Sequence, residues 1–131
     1  MSTSSASWTE SVAVTLTDAS PASGMTTTGD IDLAVGGYFA ILVQVAITWQ
    51  ASGYTSSHYA DFELLGSADD GTTWDTIPYQ PRRVDAVNAG QTNFSHPVSC
   101  VPRVRVSLNN QSGQEIPAVV VKYAGIKATS A

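Results

Sequence analysis

The side chains able to do chemistry are few and scattered. There are two histidines, His58 and His96, and one cysteine, Cys100. The histidines fall in separate loops, and neither belongs to a spaced set of metal ligands. A single cysteine rules out an internal disulfide. In an apolar stretch it reads as a small core residue, since a reactive thiolate would need a base beside it. Asp61 and Glu63 stand two apart on one strand face. They could serve as an acid–base pair, but an outward polar face accounts for them by alternation alone. Asp69, Asp70 and Asp75 are too few for calcium, which takes about six to eight oxygens. Nucleophile elbows and glycine-rich phosphate loops are missing. The expectation is a non-enzyme with no catalytic residue, no metal and no cofactor.

One motif stands out. Ser67-Ala-Asp-Asp-Gly-Thr-Thr-Trp74 fits S-x-D-x-G-x-x-W. Ser67 and Asp69 can accept from backbone donors of a turn. Gly71 suits a positive φ. Trp74 can fold back over the hairpin. The segment resembles the Asp-box of sialidases, which implies a structural turn made by Ser67, Asp69, Gly71 and Trp74. A sialidase would need several boxes, a longer chain and an arginine cluster, so the likeness stops at the turn.

The elements that would position these residues read as strands. Val12, Val14 and Leu16 alternate with small polar residues, and after a loop from Asp18 to Gly24, Ile31, Leu33 and Val35 do the same. Tyr38 to Trp49 is the strongest segment. Phe39, Ile41, Val43, Val45, Ile47 and Trp49 form one face, and Tyr38, Ala40, Leu42, Gln44 and Ala46 the other. Such a strand is central, with one core face and one lightly covered face. Phe62 and Leu64 mark the next strand, and Trp74, Ile77 and Tyr79 a return strand limited by Pro78 and Pro81. Arg82 to Asn93 reads as a polar loop. Phe94 to Cys100 and Val101 to Leu108 are strands, and Asn109 to Gly113 is a turn. Ile116 to Ile126 closes the chain, with Val119, Val121 and Tyr123 on one face and Lys122 on the other. About eight short strands without a convincing helix predict an all-β, two-sheet antiparallel sandwich, jelly-roll or Ig-like.

Bulk composition narrows the partners. The chain has 131 residues, a net charge of −5 and 13% charged residues. That size fits one domain, placed at 11–131 behind a flexible arm at 1–10 rich in Ser and Thr. Six scattered cations give no basic stripe, so neither nucleic acid nor membrane is an expected partner. The opening MSTSSASWTE has no positive charge and no apolar core, so it does not read as a signal peptide. Low surface charge, with the lightly polar face of Ala40, Leu42, Gln44 and Ala46, points to a covered surface and a homo-oligomer, a trimer by expectation. Trp8, beside the arm, reads either as an anchor on a partner or as a cap on its own core.

The order of these segments carries a resemblance. An apolar strand leads to Phe62-Glu-Leu-Leu-Gly-Ser67, then the D-G-T-T-W turn, Ile77-Pro-Tyr79, a polar loop and Val101-Pro-Arg-Val-Arg-Val106. Over about half the chain this resembles small β-sandwich virion proteins of tailed bacteriophages, of the head-decoration or neck and tail accessory type. The resemblance implies a capsid cement subunit, made in a host cytoplasm and located in the virion. It would bind the major capsid or another virion protein and stabilise the shell by mass action. The alternative is a carbohydrate-binding or tail accessory module, with Trp49, Tyr54, Tyr59 and Tyr79 as candidate aromatics for stacking on sugar rings.

Overall fold

A computed structural model describes residues 4–99 and 101–130; Cys100 and residues 1–3 of the expected arm lie outside the described residues. The chain runs through β1 (Ser4–Trp8), β2 (Val12–Ala13), β3 (Thr26–Asp32), a helical turn α1 (Leu33–Gly36), β4 (Tyr38–Thr48), β5 (Tyr59–Ser67), β6 (Tyr79–Asp85), β7 (Gln91–Ser99), β8 (Arg103–Gln111) and β9 (Ala118–Ser130). They form two antiparallel sheets. One has five strands, in the order β1-β9-β4-β7 with β2 also on β9; the other has four, in the order β3-β8-β5-β6. The fold is the expected all-β two-sheet sandwich, with about nine strands.

Alternation explains the core. Ile41, Val43, Val45 and Ile47 of β4 are at most 1% exposed. They meet Phe62 and Leu64 of β5 and Val104, Val106 and Leu108 of β8 in one cluster. Each such side chain stabilises the fold by roughly 1.5–3 kcal/mol on burial. The segment after β2 ties the sheets together. Val14 N–H donates to Val121 C=O at 2.8 Å on one sheet, and Thr17 N–H to Thr28 C=O at 2.9 Å on the other. Gly29 makes this approach possible, because a Cβ there would lie 2.6 Å from Val14 Cγ1.

The structure departs from the sequence reading in several places. The ends of the expected loop Arg82 to Asn93 belong to β6 and β7, the expected turn from Asn109 begins inside β8, and the expected strand through Leu16 shortens to Val12–Ala13. Ser4–Trp8, expected in the arm, pairs with β9 from Ser4↔Ser130 to Trp8↔Ile126. The stretch read as a strand through Val35 turns helical after Asp32, whose Oδ1 caps it by accepting from Val35 N–H at 2.9 Å. The return strand is Tyr79–Asp85, not Trp74–Tyr79, so residues 68–78 form a long loop. Phe39 leaves the core set. A register shift between Tyr38 and Ala40 sets Phe39 and Ala40 together against Ile126, and Phe39 is 60% exposed.

Candidate functional site

The two outer faces of the sandwich differ. On the four-stranded sheet the register sets Asp30 opposite Arg105 and Asp32 opposite Arg103. Arg105 Nε and Nη2 donate to the two Asp30 carboxylate oxygens at 2.7 and 3.1 Å. Arg103 Nη2 donates to Asp32 Oδ2 at 2.6 Å and sits 3.1 Å from Asp70 Oδ1. The Arg103 hydrogen bond, with the Val35 N–H, holds the Asp32 carboxyl below its ordinary range. Arg83 lies 3.5 Å from Asp61 and 3.7 Å above the Tyr59 ring. Asp61 and Glu63 therefore share an outward face on which Asp61 is already paired.

The predicted turn residues sit at the margin of this face. Ser67 Oγ donates to Asp69 Oδ1 at 2.9 Å and accepts from Gly71 N–H at 2.9 Å. Asp69 Oδ1 also accepts from Thr73 N–H at 2.7 Å, the main reason its carboxyl is held below the usual range. Gly71 has φ +85°, and a Cβ there would lie 2.9 Å from Arg103 Nη1. Trp74 folds back beside the turn, its Cζ2 3.4 Å from where a Cβ on Gly71 would stand. It lies against β8, with the Arg105 guanidinium 4.3 Å over its ring. The turn is a self-bonded loop brace.

The five-stranded sheet presents another surface. Rows from β9 through β4 to β7 read Ile126–Ala40–Ser99, Ala124–Leu42–Pro97, Lys122–Gln44–Ser95, Val120–Ala46–Asn93 and Ala118–Thr48–Gln91. No strand position in these rows is a carboxylate. Pairing of β1 with β9 adds Trp8 beside Ile126. Trp8, Ala40, Leu42, Gln44 and Ala46 are thus brought together on one face. Trp8 and Phe39 are each 60% exposed, two strand spacings apart across β9, which is about 10 Å. Two shallow depressions follow along the sheet. One, of about 230 Å³, is lined by Gln44, Ala46, Gln91, Asn93, Val120 and Lys122. The other, of about 120 Å³, is lined by Ser11, Leu42, Gln44, Lys122, Tyr123 and Ala124. They share Gln44 and Lys122 and so form one trough. Its amides offer both donors and acceptors, and Gln91 Nε2 donates to Asn93 Oδ1 at 3.4 Å.

The aromatics first considered for sugar stacking are placed elsewhere. Trp49 and Tyr54 are 3% and 7% exposed and pack edge to face. Trp49 Nε1–H donates to Thr92 Oγ1 at 2.9 Å, so both rings are core. Tyr59 has one face under Arg83. The Tyr79 side chain lies outside the described residues. Phe39, Gln91 and Asn93 were missed. Phe39 was hidden by its alternation, which the bulge breaks. The signal for the edge of the trough was that Gln91 and Asn93 continue, at period two, the outward face of the strand expected from Phe94, but both fall in the stretch Arg82 to Asn93 that reads as loop.

The histidines have structural surroundings. His58 Nδ1 accepts from Thr55 N–H at 2.9 Å. His96 is buried against the Phe62 ring at 5.3 Å, and burial, then the Arg82 charge, lowers its pKa below 6.5. Among the described residues no group of three His, Cys, Asp or Glu could hold a metal ion. No helix among them is long and apolar enough to cross a membrane.

No protein-family model matches the chain, and no curated protein matches it. Among solved structures, the fold is similar to a family 35 carbohydrate-binding module from an environmental isolate, with TM-score 0.50 and 8% identity over 87% of this chain and 77% of that one. It also aligns with the Yersinia pseudotuberculosis-derived mitogen, with TM-score 0.44 and 9% identity over 95% of this chain and 86% of that one. A third likeness is to the CBM22-1 xylan-binding domain from Paenibacillus barcinonensis, with TM-score 0.44 and 12% identity over 92% of this chain and 85% of that one. At such identities a likeness concerns the fold alone.

These findings correct the virion reading. The sandwich matches a carbohydrate-binding module rather than a capsid decoration or cement protein, so the virion function and virion location are withdrawn. The reason for expecting a capsid partner goes with them. The pattern behind that reading was a strand order and a turn, which a two-sheet sandwich can produce without a shared function. The sialidase-type Asp-box label is withdrawn too, because the segment braces a long loop and its Trp74 packs on β8. What stands is a two-sheet antiparallel sandwich whose fold is similar to that of a family 35 carbohydrate-binding module.

Proposed function

We propose that this chain is a non-catalytic module that binds carbohydrate on the outer face of its five-stranded sheet. One observation carries the reading. Exposed Trp8 and Phe39 share that face with a trough of side-chain amides, Gln44, Gln91 and Asn93. Aromatic rings at one end can stack on the apolar face of a sugar, and amides further along can pair with its hydroxyls. From the Ile126 row to the Val120 row is about 20 Å at strand rise, so the ligand is an extended oligosaccharide rather than one sugar. The likeness in fold to a carbohydrate-binding module supports this reading.

The test is affinity electrophoresis through gels containing soluble polysaccharides, followed by calorimetry with an oligosaccharide of the retarding polymer. Retardation of the parent, lost in Trp8→Ala and Asn93→Ala at unchanged melting temperature, is the expected result. Parent and variants migrating alike in every gel would overturn it. A second reading has its own observation: Leu42 and Val120, 38% and 44% exposed, leave apolar surface on the same face. Self-association through that face would cover it. Sedimentation at micromolar concentration, with and without Leu42→Lys, separates the two.

A further inference from the structure

The chain carries six cations, and five of them are engaged. Arg83, Arg103 and Arg105 are paired with Asp61, Asp32 and Asp30. Arg82 lies 5.3 Å over the Phe94 ring, and Lys127 4.7 Å over the Tyr38 ring. Lys122 is the exception among the described residues. It has neither a carboxylate nor a ring as partner, yet it borders both depressions of the trough. Its neighbours across β4 and β7 are Gln44 and Ser95, neutral groups that leave its charge uncompensated.

The setting makes this informative. The protein is net negative, with eleven Asp and Glu. Yet the strand rows around Lys122 hold none of them. Glu10 is next in sequence to Ser11, which lines the trough with Lys122, but no ion pair joins Glu10 to Lys122 among the described residues. A neutral glycan would leave the ammonium with water, as it is in the free protein. A ligand with its own anion would gain a charge-assisted hydrogen bond beside the amides, at no cost of breaking an internal pair.

We infer that the ligand of this face is an acidic polysaccharide, whose anionic substituent, a uronate carboxylate or a sulfate ester, sits on Lys122 Nζ while its hydroxyls pair with Gln44 and Asn93. The inference rests on the carbohydrate reading above and names its substrate class. The two sources of negative charge share one recognition chemistry, and the experiment tells them apart.

Affinity electrophoresis is run on the parent, Lys122→Gln and Lys122→Arg in gels containing polygalacturonate, a sulfated galactan or a neutral xylan. The parent is expected to bind one acidic polymer about fivefold more tightly than the neutral one, the change that one favourable exposed ion pair can supply. Salt should erode this preference by screening. Lys122→Gln should abolish the preference and keep the weaker neutral binding; Lys122→Arg should restore it. Which acidic polymer retards the parent decides between carboxylate and sulfate. Lys122→Gln keeping the parent's preference overturns the inference, as does a parent that binds the neutral polymer equally well; in both cases the carbohydrate reading survives. Binding to no polymer overturns that reading and the inference with it. Because Lys122 is exposed and unpaired, the variants are expected to melt with the parent, and a thermal melt checks this.

Discussion

Arg105 and Lys122 occupy similar places on the two outer faces, each on a strand well inside its sheet. Arg105 is opposite Asp30 and grips it with two hydrogen bonds, while its guanidinium lies over Trp74. Lys122 is opposite Gln44 and borders a trough. The same contrast holds for the aromatics. Tyr59 and Trp74 on the four-stranded side are covered by arginines, whereas Trp8 and Phe39 on the other side are open. One face has consumed its own hydrogen-bonding and stacking capacity and meets water as a finished surface. The other keeps that capacity unspent, which is what a binding surface requires.

The sharpest way to break this comparison is to strip the open aromatics. The double substitution Trp8→Ala and Phe39→Ala should weaken oligosaccharide binding by about a hundredfold, about 3 kcal/mol, given the stacking and burial lost from two rings. Calorimetry reads the loss, and the melting temperature should move little because both rings are mostly exposed. The paired face should give no binding phenotype: Arg83→Ala should bind as the parent does.

Next in size is the loop brace. Gly71→Val forces a β-branched residue to φ +85° and drives its Cβ toward Arg103 Nη1. It should destabilise the domain by about 2 kcal/mol, read by denaturant unfolding, with binding intact. A variant as stable as the parent would mean that the loop bears no strain and that the paired face does not depend on it. Arg105→Ala removes one ion pair and one ring contact. It should cost about 1 kcal/mol, a drop of a few degrees in melting temperature, again without touching binding.

Acid should separate core from surface. His96 is held neutral by burial and by Arg82, so its folded pKa lies below the ordinary 6.5. Below 6.5 the unfolded chain takes up a proton that the folded chain refuses, so stability falls as pH drops through this window and levels off below the folded value. Asp32 behaves differently. Its depressed pKa gives stability that is present above 3.8 and lost only as pH falls through the folded value. A melting-temperature profile should therefore show two separate declines. His96→Phe should flatten the first and leave the second. Smallest of all, about 0.5 M salt should shift the melting temperature by only a degree or so, since the ion pairs of the four-stranded face are exposed or only partly buried.

Much of the fold was legible because its cause is local. Period-two alternation from Ile41 to Ile47 shows a strand with a core side without any knowledge of its partners, and the structure buries these residues on that side. The same rule put Ala40, Leu42, Gln44 and Ala46 on the outer side. It failed where two residues share one partner, at Phe39, and where Asp32 capped a helical turn instead of letting a strand continue. It also failed at β6, because Pro81 and two arginines mask an edge strand.

The candidate site lay mostly beyond such reasoning. Alternation alone determined that the chain has strands, which of their residues are inward, and that Lys122 and Gln44 face away from the core. It could not determine that they face each other, because register between β4 and β9 is set by pairing across the whole chain. Trp8 reaches the face of Ala40 only through the pairing of the first strand with the last. Charges were equally undecided. Arg105 and Lys122 are both outward cations on alternating strands, and only tertiary structure gave Asp30 to one and left the other open. The reason is physical: side-chain direction follows from the local backbone, whereas partners follow from which strands the closing core draws together.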